Sequence, residues 1–560
     1  MKKIYDSCEF FAMFFMLLPT VLLVICGIVW VMRMTIFPFL FPIGVVVTYV
    51  LTIRLTHHSL NSRVIIPVVG TLFLLVAMCF MINDTSWDGY AYHQPGIAAL
   101  SEGWNPVYQH HYDPNGDNMK YIWVDHYAKG QETICATIAA TFGNIETSKA
   151  GNFFLPISGF FFCLLAIGRK FLQWNNGKKV FVSFIVAFPP IIWNQVFTFY
   201  IDFVLYPIIV IAFCSVLIYE NDKLRFGVVM ASVVSVSIAV KFNIFMWTGL
   251  LYMGILSYML IKRRYGMTRV VFFVGTATCV VSLFSFAYNP YITNTLDHKN
   301  PFYPLLGGQS IDIMTHVEPE AFKGLSAVEK VFVSDFSRPT GQLKAEKLQC
   351  PYSGYKLSNL SACGSADARL GGAGLFWVDC LLLSIIIFIT TKTYKRRESG
   401  IYLLISTLFI ATQFILPGGW FYRYVSYIYL IPMLLLFASE DVIKKKWQLW
   451  AKRLTYTLLF LNSLAGLTVS VGMAIVQNQI EDYYVKCINA SDKPCYQSDV
   501  FGFVRKITPE KRHLNIKDGE IERIPHLPTS GMTGIKYENL NRNVKTTFMQ
   551  DLLLEKGILK

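Results

Sequence analysis

The chain has 560 residues, of which 54% are hydrophobic and 15% charged, and it carries a formal net charge of +14. A water-soluble chain of this length would divide into several domains with polar surface throughout, whereas here the apolar residues come in long blocks with little or no charge, which excludes that class and indicates a membrane protein. The positive charge does not indicate a nucleic-acid partner, because the basic residues stand in short runs between the apolar blocks.

Lipid cannot hydrogen-bond a bare backbone, so apolar blocks of this length must be helices. In chain order the predicted spans are 10–32, 36–53, 65–82, 153–167, 180–197, 201–219, 226–240, 245–261, 270–287, 375–390, 401–416, 424–438 and 454–476. The expected fold class is thus all-α and polytopic, with about thirteen transmembrane helices. The first block follows Met1-Lys2-Lys3 without a small-residue cleavage site, which reads as a retained helix. The basic runs lie at Arg169, Lys170, Lys178 and Lys179, at Lys262, Arg263, Arg264 and Arg269, at Lys392, Lys395, Arg396 and Arg397, and at Lys444, Lys445, Lys446, Lys452 and Arg453. An inside amino terminus places every one of them on the cytoplasmic side, and thirteen spans then leave the carboxyl terminus outside. The localisation expected is a bacterial inner membrane, crossed many times, with the tail periplasmic or extracytoplasmic.

The reading divides the chain into a membrane domain, 1–476, whose outer loops run from about 83 to 152 and from about 288 to 374, and an external segment, 477–560. Residues 130–143 are too short and too weakly apolar to span, and read as a helix along or dipping into the outer interface. Of twelve cysteines, Cys350, Cys363, Cys487 and Cys495 fall in outer segments. Their closeness in pairs on an oxidising face leads to the expectation of two disulfides, Cys350–Cys363 and Cys487–Cys495.

The first outer loop opens with Asp84, Trp87, Asp88, Tyr92, His93 and Pro95, and continues through Asp113, Asp117, Asp125, His126, Lys129 and Glu132. A carboxylate partly desolvated at a membrane surface suits a general base, while Asp84 or Asp88 could also simply cap the following helix. The second loop carries Asp297, His298, Lys299, Asn300, Pro301, Phe302, Tyr303 and Pro304, then Asp367, Arg369, Gly371, Gly372 and Gly374. Its glycines would let backbone approach a ligand, and Arg369 could meet a phosphate. Asp202, Lys241 and Arg423 lie at outer span ends, where an ionisable group is costly enough to be a functional candidate.

Taken together and in order, Trp87-Asp88 with Tyr92-His93-Gln94-Pro95, Tyr200-Ile201-Asp202, Asn300-Pro301-Phe302-Tyr303-Pro304, Arg369 to Gly374 and Arg423-Tyr424 resemble the GT-C class of membrane glycosyltransferases, in a divergent bacterial branch. The resemblance covers the chain to about residue 438. It implies a GT-C-like fold and transfer of a sugar, with inversion, from a polyprenyl-phosphate donor to an extracytoplasmic acceptor: a surface glycan, lipid or protein. It implies Asp88 as acid/base residue, with Asp84 close behind it and His93 orienting the base or the acceptor. Tyr92, Lys129, Glu132, Asp202, His298, Lys299, Arg369 and Arg423 are the candidate substrate-binding residues. A divalent metal stays open as a cofactor, since no compact ligand cluster stands out. The partners expected are the lipid-linked donor, the acceptor and the bilayer. The rival classes are an O-antigen-type polymerase or ligase and a transporter or flippase. Against the transporter stands the lack of visible repeats and the placement of the polar residues at the surface instead of the midplane.

Overall fold

The computed structural model describes residues 2–57, 62–112, 121–339, 360, 363–415, 418–490, 495–496, 512–513 and 541–559. Among them every regular element is helical, apart from one two-residue pairing of Cys495–Tyr496 with Arg512–His513. Each of the thirteen apolar blocks contains a helix, as backbone excluded from water requires.

Thirteen full-length spans are not confirmed. Among the described residues seven helices are long and apolar enough to cross a membrane: Ser7–Val31, Glu146–Lys170, Lys223–Val240, Phe242–Ile261, Tyr265–Leu283, Arg397–Ile415 and Lys446–Asn489. The bent pair Asn176–Ala187 and Pro190–Val196 makes an eighth if it crosses as one. Leu40–Thr56, Val64–Phe80, Asp202–Ile218 and Trp377–Thr390 are apolar but shorter. Hydropathy registers apolar content and misses the breaks that shorten a helix. In the 180–197 block Pro189 and Pro190 remove consecutive backbone donors, and the chain bends by 64° there. The 424–438 block opens in two 3₁₀ turns, leaving Leu430–Ser439 as its α-helix.

Aromatic side chains fill the centre of the bundle. The first helix, Lys2–Val31, packs along Phe154–Lys170, with Phe11 stacked on Phe161 and Phe15 against Phe154. Phe154–Lys170 packs in turn on Leu205–Ile218.

The helix ends sort into two groups that agree with the charge pattern. Residues expected inside meet one another: Glu440 accepts from Lys178, Lys452 and the Trp174 indole, Arg225 pairs with Glu9, and Arg264 pairs with Glu220. Residues expected outside, from the loops at 84–132, 199–202, 289–303 and 367–371, meet at the other end.

The first outer loop is folded into the protein. Gly130–Phe142, expected along the interface, is buried over most of its length and packs on the helices at 94–101 and 2–31. Gly130 fits there because a side chain would collide with the backbone of Ala239. The boundary expected at 476 falls inside one helix, Lys446–Asn489, which carries on past the bundle. Its extension accepts the Tyr90 hydroxyl at Glu481 and the Thr85 hydroxyl at Gln477, and the terminal helix Phe548–Glu555 returns to pack on it through Gln550 and Asp482. Cys363 and Cys487 are buried; Cys350 and the side chain of Cys495 lie outside the described residues, and with them both expected disulfides.

Candidate functional site

Asp88 stands at the head of a short π-helical turn, Gly89–His93, that leads into Gln94–Ser101. Its carboxylate accepts from Arg423 Nη1 at 2.9 Å, both residues being buried. The same Nη1 lies 3.4 Å from Asp202, and Arg423 Nε lies 3.6 Å from Asp367. Lys241 donates to Asp202 at 2.5 Å, and Arg369 donates to Asp367 at 2.7 Å through both Nε and Nη2. Three carboxylates and three cations thus form one chain of ion pairs with Arg423 at its centre.

Local packing explains the convergence. The Tyr422 and Arg423 amides donate to the carbonyls of Arg369 and Ala368, so the two arginine-bearing segments run side by side. The helix Ala327–Phe336 clamps both: the Gly371 amide donates to the Ser334 carbonyl, and the Ser334 hydroxyl donates to that of Trp420. Beneath lie Phe322, Val331, Leu370, Trp420 and Phe421. Gly371, Gly372 and Gly374 serve this packing at the entry to the next helix. Gly371 has φ +59°, and side chains at the three would strike Ser337, Tyr422 and Asn462 respectively.

The guanidinium is enclosed by rings, with Tyr200, Phe421 and Tyr424 centred 4.9, 4.8 and 5.4 Å from Arg423 Cζ. Tyr92 and Tyr127 border the same space, both within electrostatic reach of Asp88. Burial alone would raise the Asp88 carboxyl, but Arg423, His93 and Lys241 outweigh it and hold Asp88 below the ordinary carboxylate range. Two buried polar atoms of the cluster lack a hydrogen-bond partner: Arg423 Nε and Asp367 Oδ1. Such atoms are uncommon in a finished protein interior.

The remaining candidates lie apart from Arg423. Asp84, the second choice for the base, accepts from the Ser86 amide and hydroxyl and from the Phe199 amide at 3.1 Å, while its own amide donates to Glu146. Glu146 pairs with the buried Lys149. Asp84 is therefore a structural tie that fixes the segment leading to Asp202. His93 faces Glu132 at 2.5 Å and makes no hydrogen bond to Asp88. It therefore does not orient Asp88 through a hydrogen bond and acts on it through charge, while orientation of the acceptor belongs to the proposal below. Lys129 is capped by the carbonyls of Asp125 and Tyr127 and by Asn289, and burial pushes its ammonium down to about 7. His298 stacks on Tyr303 at 3.7 Å beside His126, and Lys299 is exposed at a helix end with its ammonium on the Leu296 carbonyl. His298, Lys129 and the Asn300–Pro304 turn brace the two outer loops against each other.

Two members, Asp367 and Lys241, are not among the catalytic and substrate-binding residues that the resemblance implies, although Lys241 stands out in the sequence as an ionisable group at a span end. Asp367 stands two positions before Arg369, and Lys241 breaks two apolar helices; each is a signal present in the sequence. Among the described residues no three His, Cys, Asp or Glu side chains are grouped so as to hold a metal ion. No family model, curated protein or solved structure matches the chain.

Proposed function

We propose that this chain is an inverting membrane glycosyltransferase of GT-C type, set in a bacterial inner membrane with the ion-pair cluster on the extracytoplasmic side. One observation carries the reading: Asp88, Asp202, Arg369 and Arg423, drawn from four separate parts of the pattern that resembles that class, come together in one buried cluster with a carboxylate at its mouth. Resemblance is local and cluster formation is not, so the two lines of support are independent.

In this reading a polyprenyl-phosphate sugar lies with its phosphate towards Arg423, whose planar fork suits a phosphate better than an ammonium does. The Asp88 carboxylate takes the proton of an acceptor hydroxyl as that oxygen attacks the anomeric carbon. The bond from the anomeric carbon to the phosphate oxygen breaks, and its electron pair leaves with polyprenyl phosphate. The donor bond is already activated, so positioning, a base and neutralisation of the leaving phosphate are what the protein must supply. The tyrosine ring wall offers flat faces to a sugar.

The first experiment compares lipid-linked intermediates and surface glycans of a deletion strain with those of its parent, which identifies donor and acceptor. Purified wild type, Asp88→Asn and Asp84→Asn are then assayed with that donor. Loss in Asp88→Asn with retention in Asp84→Asn is the expected result. Full turnover by Asp88→Asn ends the proposal. Reporter fusions at Asn221 and Asn541 should report opposite faces of the membrane; a shared face would overturn the orientation.

A further inference from the structure

A base that is tied up by a cation is a weak base. Asp88 is in that condition, with a 2.9 Å bond from the guanidinium that the donor phosphate is expected to use. The cluster is also electrically closed: Asp88, Asp202 and Asp367 supply three negative charges, and Lys241, Arg369 and Arg423 supply three positive ones. Each of the other carboxylates has a cation besides Arg423, since Lys241 holds Asp202 and Arg369 holds Asp367. Asp88 alone depends on Arg423 for its ion pair among the described residues. A phosphate that takes over Arg423 would therefore leave Asp88 as the carboxylate of the cluster without a cation. Arg423 also has a donor ready to receive it, because its buried Nε makes no hydrogen bond and has only the 3.6 Å ion pair with Asp367.

Resting on the reading of a polyprenyl-phosphate donor, we infer that Arg423 is a shared counter-ion, held by Asp88 in the free protein and yielded to the lipid phosphate, so that the base is released only when the donor is in place. The charge bookkeeping of the transfer agrees. A phosphodiester donor with one negative charge becomes a phosphomonoester with up to two, while Asp88 becomes neutral on taking the acceptor proton. Negative charge moves from one neighbour of Arg423 to the other, and the cluster keeps its total. Without a donor, Asp88 stays paired and is a poor base towards water or a stray hydroxyl.

The test is binding of undecaprenyl phosphate to the full chain in lipid nanodiscs, measured by native mass spectrometry or fluorescence. If Asp88 competes for Arg423, its removal must help the lipid. Asp88→Asn should bind the probe about tenfold tighter than wild type, the effect of one lost competing contact. Asp367→Asn, which relieves the same guanidinium, should tighten binding in the same direction and keeps the question answerable if Asp88→Asn does not fold. Arg423→Lys should bind more weakly. Probe binding by wild type, weakened in Arg423→Lys but unchanged or weakened in both Asn variants, would overturn the shared counter-ion and leave the phosphate site standing. Absence of binding in every folded variant would instead remove the polyprenyl-phosphate reading, and the inference with it.

Discussion

The two ends of the helix bundle solve the same problem in opposite ways. At one end a single carboxylate, Glu440, collects cations: Lys178 at 2.8 Å, Lys452 at 3.1 Å to both oxygens, and the indole of Trp174 at 3.0 Å. At the other a single cation, Arg423, collects carboxylates. Both Glu440 oxygens accept from Lys452 and Lys178 is partly open to solvent, while the buried Tyr456 hydroxyl close by lacks a partner. Around Arg423 the groups are more deeply enclosed, ringed by aromatics, and two polar atoms lack partners. A charged group near membrane depth is a functional candidate by default, yet the comparison shows that this default needs a second criterion. Glu440 ties together helix ends that would otherwise splay, and its own two oxygens are fully engaged by that tie. In the proposed reading, the donor phosphate takes up the open bonding capacity of Arg423 Nε.

Asp88→Asn and Glu440→Gln test that distinction most sharply. The first should lower transfer by about a thousandfold, the usual weight of a general base, without loss of folded protein. The second should leave turnover per folded molecule near wild type while lowering stability by about 3 kcal/mol, because a buried ion pair is broken on one side. Reversal of the two outcomes would assign the chemistry to the wrong end. Arg423→Lys comes next in size. It keeps the charge and loses the fork, so donor use should fall about ten- to a hundredfold, read as a raised KM for the donor.

Asp84→Asn should have the smallest effect, about 1–2 kcal/mol of stability and little change in transfer, since it loosens a hydrogen-bonded tie. Its pH dependence has a definite sign. Burial raises the Asp84 carboxyl from 3.8 to about 6, with Lys149 only partly offsetting it. The folded state therefore binds this proton more tightly than the unfolded state. The stabilisation is complete below the ordinary carboxylate value and is lost as pH rises through about 6. Asp88 has the opposite sign. Its folded value is depressed, so its contribution is present above 3.8 and is lost only as pH falls through that lower value. Thermal unfolding of the two Asn variants against wild type from pH 4 to 8 should show Asp84→Asn losing its dependence in this window and Asp88→Asn behaving like wild type. Equal curves for the two would mean that both carboxylates share one environment.

The sequence by itself determined where the helices form, because excluded water forces apolar blocks to satisfy their own backbone. It also determined which charges share an end of the bundle, since basic runs alternate with apolar blocks. Asp202 and Arg423 were legible one at a time as costly polar groups at span ends, Asp88 as an outer-loop carboxylate and Arg369 as a loop cation able to meet phosphate. Tertiary structure decided the rest. Helix length is set by local breaks such as Pro189-Pro190, which hydropathy averages away, so among the described residues seven helices, or eight with the bent pair, are long and apolar enough to cross a membrane. Asp84 and Asp88 stand four residues apart in similar sequence, and only the fold sends one to the Phe199 amide and the other to Arg423. Asp88 and Arg423 are 335 positions apart, and no local pattern can encode which of several distant charges a buried carboxylate will meet. That choice follows from how the segments at 367–371 and 420–423 pack on the helix Ala327–Phe336, a property of the assembled chain.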